Sequence, residues 1–168
     1  MTNSVVILRA AAVAAMVLAS AGALAGGADR AAAAIMVLDE LHAAAAAADG
    51  ERYFAVFAPD SVFLGTAAEE RWTLERFRAF VEPYFAAGRG WTYVPRDDAR
   101  NVNFALGGEI AWFDELLDND KYGVCRGTGV LRRIDGEWKI AQYSLSIPIP
   151  NAIALDVVEM IRAAPPPE

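Results

Sequence analysis

The sequence predicts an α+β domain in which helices near the start pack on a curved antiparallel sheet formed by the second half of the chain. Three observations predict it. Strong helix formers fill Ala31 to Ala48, with Ile35, Leu38, Leu41 and Ala45 at three-to-four spacing. Leu74, Phe77, Phe80, Val81 and Tyr84 fall on one broad helical face. After Gly88 the pattern changes to strands divided by the turn pairs Gly107-Gly108, Asn119-Asp120 and Asp135-Gly136.

The first 25 residues read as an address rather than as part of the fold. They contain no acid and one cation, Arg9, followed by the apolar run Ala10 to Ala19 and a stretch of small residues. That is the layout of a secretory signal peptide, with cleavage favoured after Ala23-Leu24-Ala25 and a second candidate site after Ala19-Ser20-Ala21. The alternative, an uncleaved anchor, meets a length problem, because a spanning helix needs about 20 strongly apolar residues. The expected product is periplasmic or secreted and has no stable membrane association after signal removal.

Composition limits the chemistry. The chain has 168 residues, of which 55% are hydrophobic and 22% charged, and a net charge of −7. A packed core follows, and a general nucleic-acid binder does not, because no basic cluster is present to neutralise phosphates; Arg132-Arg133 and Arg96 with Arg100 are too thin. One Cys and one His cannot build a Cys/His zinc site, an iron-sulfur cluster or an intramolecular disulfide. No metal and no cofactor are expected.

The elements follow in order. Asp49-Gly50 is expected to end the first helix, and Tyr53, Phe54 and Phe57 to form a short helical turn stopped at Pro59. Ser61 to Gly65 reads as a brief strand. Thr73 caps a third helix, which Pro83 is expected to end or kink near Glu82. The strands Trp91 to Ala105, Glu109 to Leu117, Lys121 to Ile134 and Glu137 to Ile149 form the meander. Asn151 caps a closing helix with Ile153, Val157, Val158 and Ile161 on one side, and residues 164–168 form a Pro-rich tail. The domain thus spans 31–163.

Four phrases in this order carry a resemblance: Phe57 to Thr66, Glu70-Arg71-Trp72-Thr73, Gly108-Glu109-Ile110-Ala111-Trp112, and Gly129 to Ile140. Together they resemble the SnoaL-like branch of the nuclear transport factor 2-like superfamily, over about Ala31 to Ile147. The resemblance implies a conical fold with a pocket between helices and sheet, and commonly a homodimer through the outer sheet face. It implies isomerases, cyclases, dehydratases and domains with no assigned reaction, so it does not fix an activity. Members often carry a His on the last strand, six residues after the Trp, where Ser144 stands here. The Tyr and two Asp of steroid-isomerase-type members find no matching positions.

Strand alternation yields two lists for each strand, and one of them lines the cone. On the last strand the expected inner list is Trp138, Ile140, Gln142, Ser144 and Ser146; the other, with Tyr143 and Leu145, is expected with Trp112 on a dimer face. If Ile134-Asp135-Gly136 is a three-residue loop, Arg126 and Thr128 lie beside Gln142 and Ser144. A two-residue loop replaces them by Cys125, Gly127 and Gly129. A two-residue turn at Asn119-Asp120 pairs Phe113 with Arg126 and sets Glu115 diagonal to that cation.

The candidate ligand-binding residues are therefore Trp72, Tyr84, Trp91, Phe113, Glu115, Arg126, Thr128, Gln142 and Ser144. Candidates for acid/base work are Glu115, Asp114 and His42. Three functions remain open: a module binding a small, partly apolar ligand without chemistry, a cofactor-independent isomerase, cyclase or dehydratase using a pocket carboxylate as base, and a dimerisation module without a ligand.

Overall fold

The computed structural model describes residues 27 and 29–165. The signal-like segment and the last three residues of the tail lie outside that range. Among the described residues no helix is long and apolar enough to cross a membrane.

Helix α1 runs over 29–46 and buries Ala34, Leu38, Leu41, Ala44 and Ala45 as one stripe. It closes one residue pair earlier than the Asp49-Gly50 signal. Ala48 adopts the left-handed conformation, at φ 53°. Asp49 instead caps α2, Gly50–Ala55, by accepting from the Arg52 amide. Phe57 then opens strand β1, Phe57–Leu64, so Pro59 sits inside a strand and not at a helix stop. It is tolerated because four residues, 58–61, bulge between the pairs made by Phe57 and Val62.

A short edge strand, β2 at Arg71–Thr73, precedes α3, Leu74–Ala86, which Thr73 caps through its hydroxyl. Helix α3 continues three residues past Pro83, because the ring removes only the amide that would reach Ala79. The remaining strands are β3 Val94–Phe104, β4 Ile110–Asn119, β5 Gly123–Ile134 and β6 Glu137–Ser146. A 3-10 turn, Asn151–Ile153, leads into α4, Ala154–Ala163, which buries none of its residues and has no side-chain cap.

The sheet is curved, open and six-stranded, in the order β2-β1-β6-β5-β4-β3. All neighbours are antiparallel except β1 and β6, which run parallel. The four-stranded meander is thus extended by two early strands. One sheet face and α1 to α3 enclose the core, in which Phe77, Val81, Phe113, Leu131, Ile140 and Tyr143 are buried together. Burying a side chain the size of Phe77 contributes about 1.5–3 kcal/mol relative to leaving it exposed.

Two turns and one bulge decide which side chains face that core. Ile134 pairs directly with Glu137, leaving the two-residue loop Asp135-Gly136 with both residues at positive φ, 51° and 89°. The inner positions of β5 are therefore Cys125, Gly127, Gly129 and Leu131. Between β4 and β5 the loop has three residues, because the Asn119 side chain accepts from the Lys121 and Tyr122 amides and carries the turn on to Gly123. Phe113 accordingly faces Gly129, and Glu115 faces Gly127.

On β6, Ala141 is an extra residue between the pairs made by Ile140 and Gln142. A single-residue bulge reverses the alternation. Trp138 and Ile140 point inward before it, Tyr143 and Leu145 after it, and Gln142 and Ser144 turn to the outer face with Arg126 and Thr128. Tyr143 is 3% exposed, which removes it from any partner surface.

Candidate active site

Glu115 is the point at which four elements meet. It lies on the inner face of β4 and is 1% exposed. Its Oε1 accepts from His42 Nε2 at 2.8 Å and from the Tyr143 hydroxyl at 3.2 Å. Its Oε2 accepts from Arg100 Nε at 2.9 Å. Arg100 Nη2 is also 2.8 Å from Oε2 but off line, so it makes no hydrogen bond. Arg100 reaches back to α1 through Nη1, 2.5 Å from Asp39 Oδ1.

The sequence builds this cluster from ordinary local rules. Asp39 and His42 stand three apart on α1 and so share a face. Arg100 is the direct cross-strand partner of Glu115 on β3. Tyr143 enters because of the Ala141 bulge. Gly127, opposite Glu115, leaves the space in which Glu115 and the Tyr143 hydroxyl meet; a Cβ there would press on the hydroxyl and lie 2.9 Å from Glu115 Oε1.

The charges follow from burial. Desolvation works against the Arg100 charge, but Asp39 and Glu115 more than offset it and hold its pKa above the usual value. Burial, reinforced by the neighbouring Glu115, pushes the Tyr143 hydroxyl well above the ordinary phenol range, so it remains a neutral donor. With Arg100 donating to Oε2, Glu115 accepts at Oε1, which sets the imidazole proton on His42 Nε2 and leaves a lone pair on Nδ1.

His42 and Tyr143 line a small chamber of about 30 Å³, walled also by Leu41, Ala45 and Tyr53. Phe63, Trp91, Tyr93 and Leu145 line both this chamber and a cavity of about 700 Å³. The large cavity is lined by the aromatic residues Trp72, Phe77, Phe80 and Tyr84 and by the polar residues Thr66, Glu70, Asp118, Asp120 and Lys121. Several rings present near-parallel faces: Phe63 stacks on Phe77 at 3.8 Å and on Tyr143 at 5.6 Å, and Trp72 on Phe80 at 4.8 Å. The size suits a drug-sized molecule. Among the described residues no group of three or more His, Cys, Asp or Glu is placed to hold a metal ion.

Of the residues expected from sequence, Trp72, Tyr84 and Trp91 line the large cavity, His42 lines the small chamber, and Glu115 is buried in contact with His42. Phe113 packs behind them, 5.8 Å from the Tyr143 ring. Arg126, Thr128, Gln142 and Ser144 are on the opposite face, and the diagonal Glu115 to Arg126 pair does not form, since Arg126 pairs with Leu116. Asp114 is on that outer face too, where its carboxylate accepts from Asn101. Of the expected dimer-face residues, Trp112 remains outside, 48% exposed, whereas Leu145 lines the cavity. Arg100, Asp39 and Tyr143 were not among the expected site residues. His42 carried a readable signal, being four residues from Leu38 and three from Ala45 on the buried stripe of α1.

A family model described as the SnoaL-like domain matches residues 35–150. Among curated proteins, none matches the sequence. Among solved structures, an uncharacterised protein with a cystatin-like fold from Caulobacter vibrioides is 14% identical over 79% of this chain and 99% of its own, with a TM-score of 0.63. A proposed scytalone dehydratase from Novosphingobium aromaticivorans is 13% identical over 73% of this chain and 87% of its own, at 0.60. A proposed ketosteroid isomerase from Shewanella frigidimarina is 20% identical over 68% of this chain and 94% of its own, at 0.54. At these identities the likeness is one of fold.

Proposed function

We propose, from the premise that this chain belongs to the SnoaL-like domain family, that its cavity takes a small, partly apolar molecule and that His42 moves a proton on it without a cofactor. The observation that carries the reading is the buried His42–Glu115 contact, with His42 lining a small chamber that shares Phe63, Trp91, Tyr93 and Leu145 with the aromatic cavity. Glu115 fixes the imidazole ring and its tautomer; it is not itself the base, because both its oxygens are occupied. His42 Nδ1 accepts a proton from an acidic C–H or O–H, and the resulting imidazolium is stabilised by Glu115 and returns the proton at a second position. Tyr143, kept protonated, donates to Glu115 and completes its shell. This is the chemistry of an isomerase, cyclase or dehydratase; one structural neighbour is named as a dehydratase and another as an isomerase.

Native mass spectrometry of the purified full chain tests binding, by looking for a co-purified small molecule. Incubating that molecule in D₂O tests the chemistry. The wild type should exchange a C–H of the ligand with solvent or convert it, and His42→Ala should bind it but exchange at least about 100-fold more slowly. Equal exchange by both proteins overturns the assignment of His42.

Export is proposed on the signal-like layout of residues 1–25. Pairing of two copies through the outer sheet face is proposed with Trp112 and Val124, 48% and 38% exposed, as its apolar contacts.

A further inference from the structure

A carboxylate buried beside a lone imidazole tends to draw a second proton onto the ring, since an ion pair leaves the carboxylate compensated. An imidazolium has no lone pair and cannot act as a base. The geometry here answers that difficulty through Arg100. Its side chain is 9% exposed and its Nε donates to Glu115 Oε2, the oxygen that His42 does not use. The carboxylate therefore has its compensating cation before the imidazole is protonated.

The backbone is arranged to deliver that cation. Strand β3 pairs Val94 with Asp118 and Pro95 with Leu117, a register that, continued, would set Asp97 opposite Glu115, acid against acid. Instead residues 96–99 bulge outward against Leu116 alone, and Arg100 takes the place opposite Glu115. Bulges of this kind re-aim a side chain beside a site.

The other groups around His42 do not supply the charge. Tyr143 from β6 and Tyr53 from α2 are held protonated by burial, and Tyr93 is pushed up to about 12. Asp39, on the same helix, is engaged with Arg100, and its side chain is 59% exposed, so solvent screens it. The charges that decide the state of the ring are Glu115 and Arg100.

We infer that Arg100 is a positioning residue that neutralises Glu115 and so keeps His42 an uncharged base, protonated on Nε2. This rests on the proton-transfer reading for its purpose, though not for its test.

The chain has one histidine, so the ring nitrogens of the ¹⁵N-labelled, ligand-free full chain are read by NMR without ambiguity. At pH 7 the wild type should show two well-separated ring nitrogens, with the proton on Nε2. In Arg100→Gln the two resonances should converge on the imidazolium position at the same pH. Arg100→Lys restores a cation and should return the ring to the neutral pattern. A wild-type ring that is already charged, an R100Q ring identical to wild type, or a charged ring in R100K each overturns the inference. If R100Q fails to fold, the wild-type and R100K spectra still decide it. A protein that binds no ligand would sink the proposed function and leave this charge assignment standing.

Discussion

Replacing Glu115 by Gln keeps the side chain's shape and removes its charge, which makes it the sharpest perturbation of the site. The amide has one acceptor oxygen where the carboxylate has two, so it cannot satisfy Arg100 on one side and both His42 and Tyr143 on the other. Removing one member of a buried ion pair costs about 3–5 kcal/mol, because the other is left uncompensated. Arg100 keeps Asp39 at 2.5 Å, a partner at the solvent edge, which places the expected loss near the lower end, about 3 kcal/mol. For a domain of this size each 1 kcal/mol moves Tm by about 2–4 °C, so the melting point should fall by about 6–12 °C. With its oxygen toward Arg100, the amide NH₂ faces His42 Nε2, which must then accept, and the ring proton moves to Nδ1. Urea unfolding followed by tryptophan fluorescence reads the first effect, and NMR of the single histidine the second. A stability within about 0.5 kcal/mol of wild type, the size of a neutral surface substitution, with the tautomer unchanged, would refute the claim that Glu115 is the charged hub.

Three other outcomes follow from the same structure. Gly127→Ala places a methyl against the Tyr143 hydroxyl and Glu115, and should cost about 1–3 kcal/mol in urea unfolding while weakening the Tyr143 hydrogen bond. Stability should fall with rising alkaline pH: Tyr143, Tyr53 and Tyr93 have folded pKa values raised by burial. Above about pH 10 the unfolded chain therefore loses phenol protons that the folded chain keeps. Ultraviolet titration should show Tyr143 and Tyr53 ionising only as the protein unfolds; their free ionisation near pH 10 in the folded state would contradict their burial. Finally, N-terminal sequencing of protein recovered from the exported fraction should begin at Gly26, or at Gly22 if the upstream site is used; an intact Met1 would rule out signal cleavage.

The α+β order, the inner parity of β4 and the cap at Thr73 were legible because each rests on local pattern. Alternation alone puts Phe113 and Glu115 on one face, whatever their neighbours. What could not be read were offsets. The two-residue turn at Asp135-Gly136 and the three-residue loop after Asn119 together exchange Arg126 for Gly127 and Gly129, because one residue of register inverts a whole strand. The Ala141 bulge leaves no mark in the hydrophobic pattern, yet it turns Tyr143 inward and Gln142 outward. Arg100 was hidden in the same way, since β3 reaches Glu115 only after four residues have bulged past Leu116. Edge strand β2 has three residues, too few to show any periodicity.

The most direct measurement is a ligand titration read in the cavity and at His42. Trp72 and Trp91 line the cavity wall, and His42 lines the small chamber that shares Trp91 with it. A small aromatic ligand that quenches tryptophan fluorescence should shift the His42 ring resonances with the same midpoint, and should do so without displacing the proton from Nε2. Quenching that saturates while the His42 ring stays unmoved would place the ligand elsewhere and contradict the assignment of this cavity as the site of chemistry.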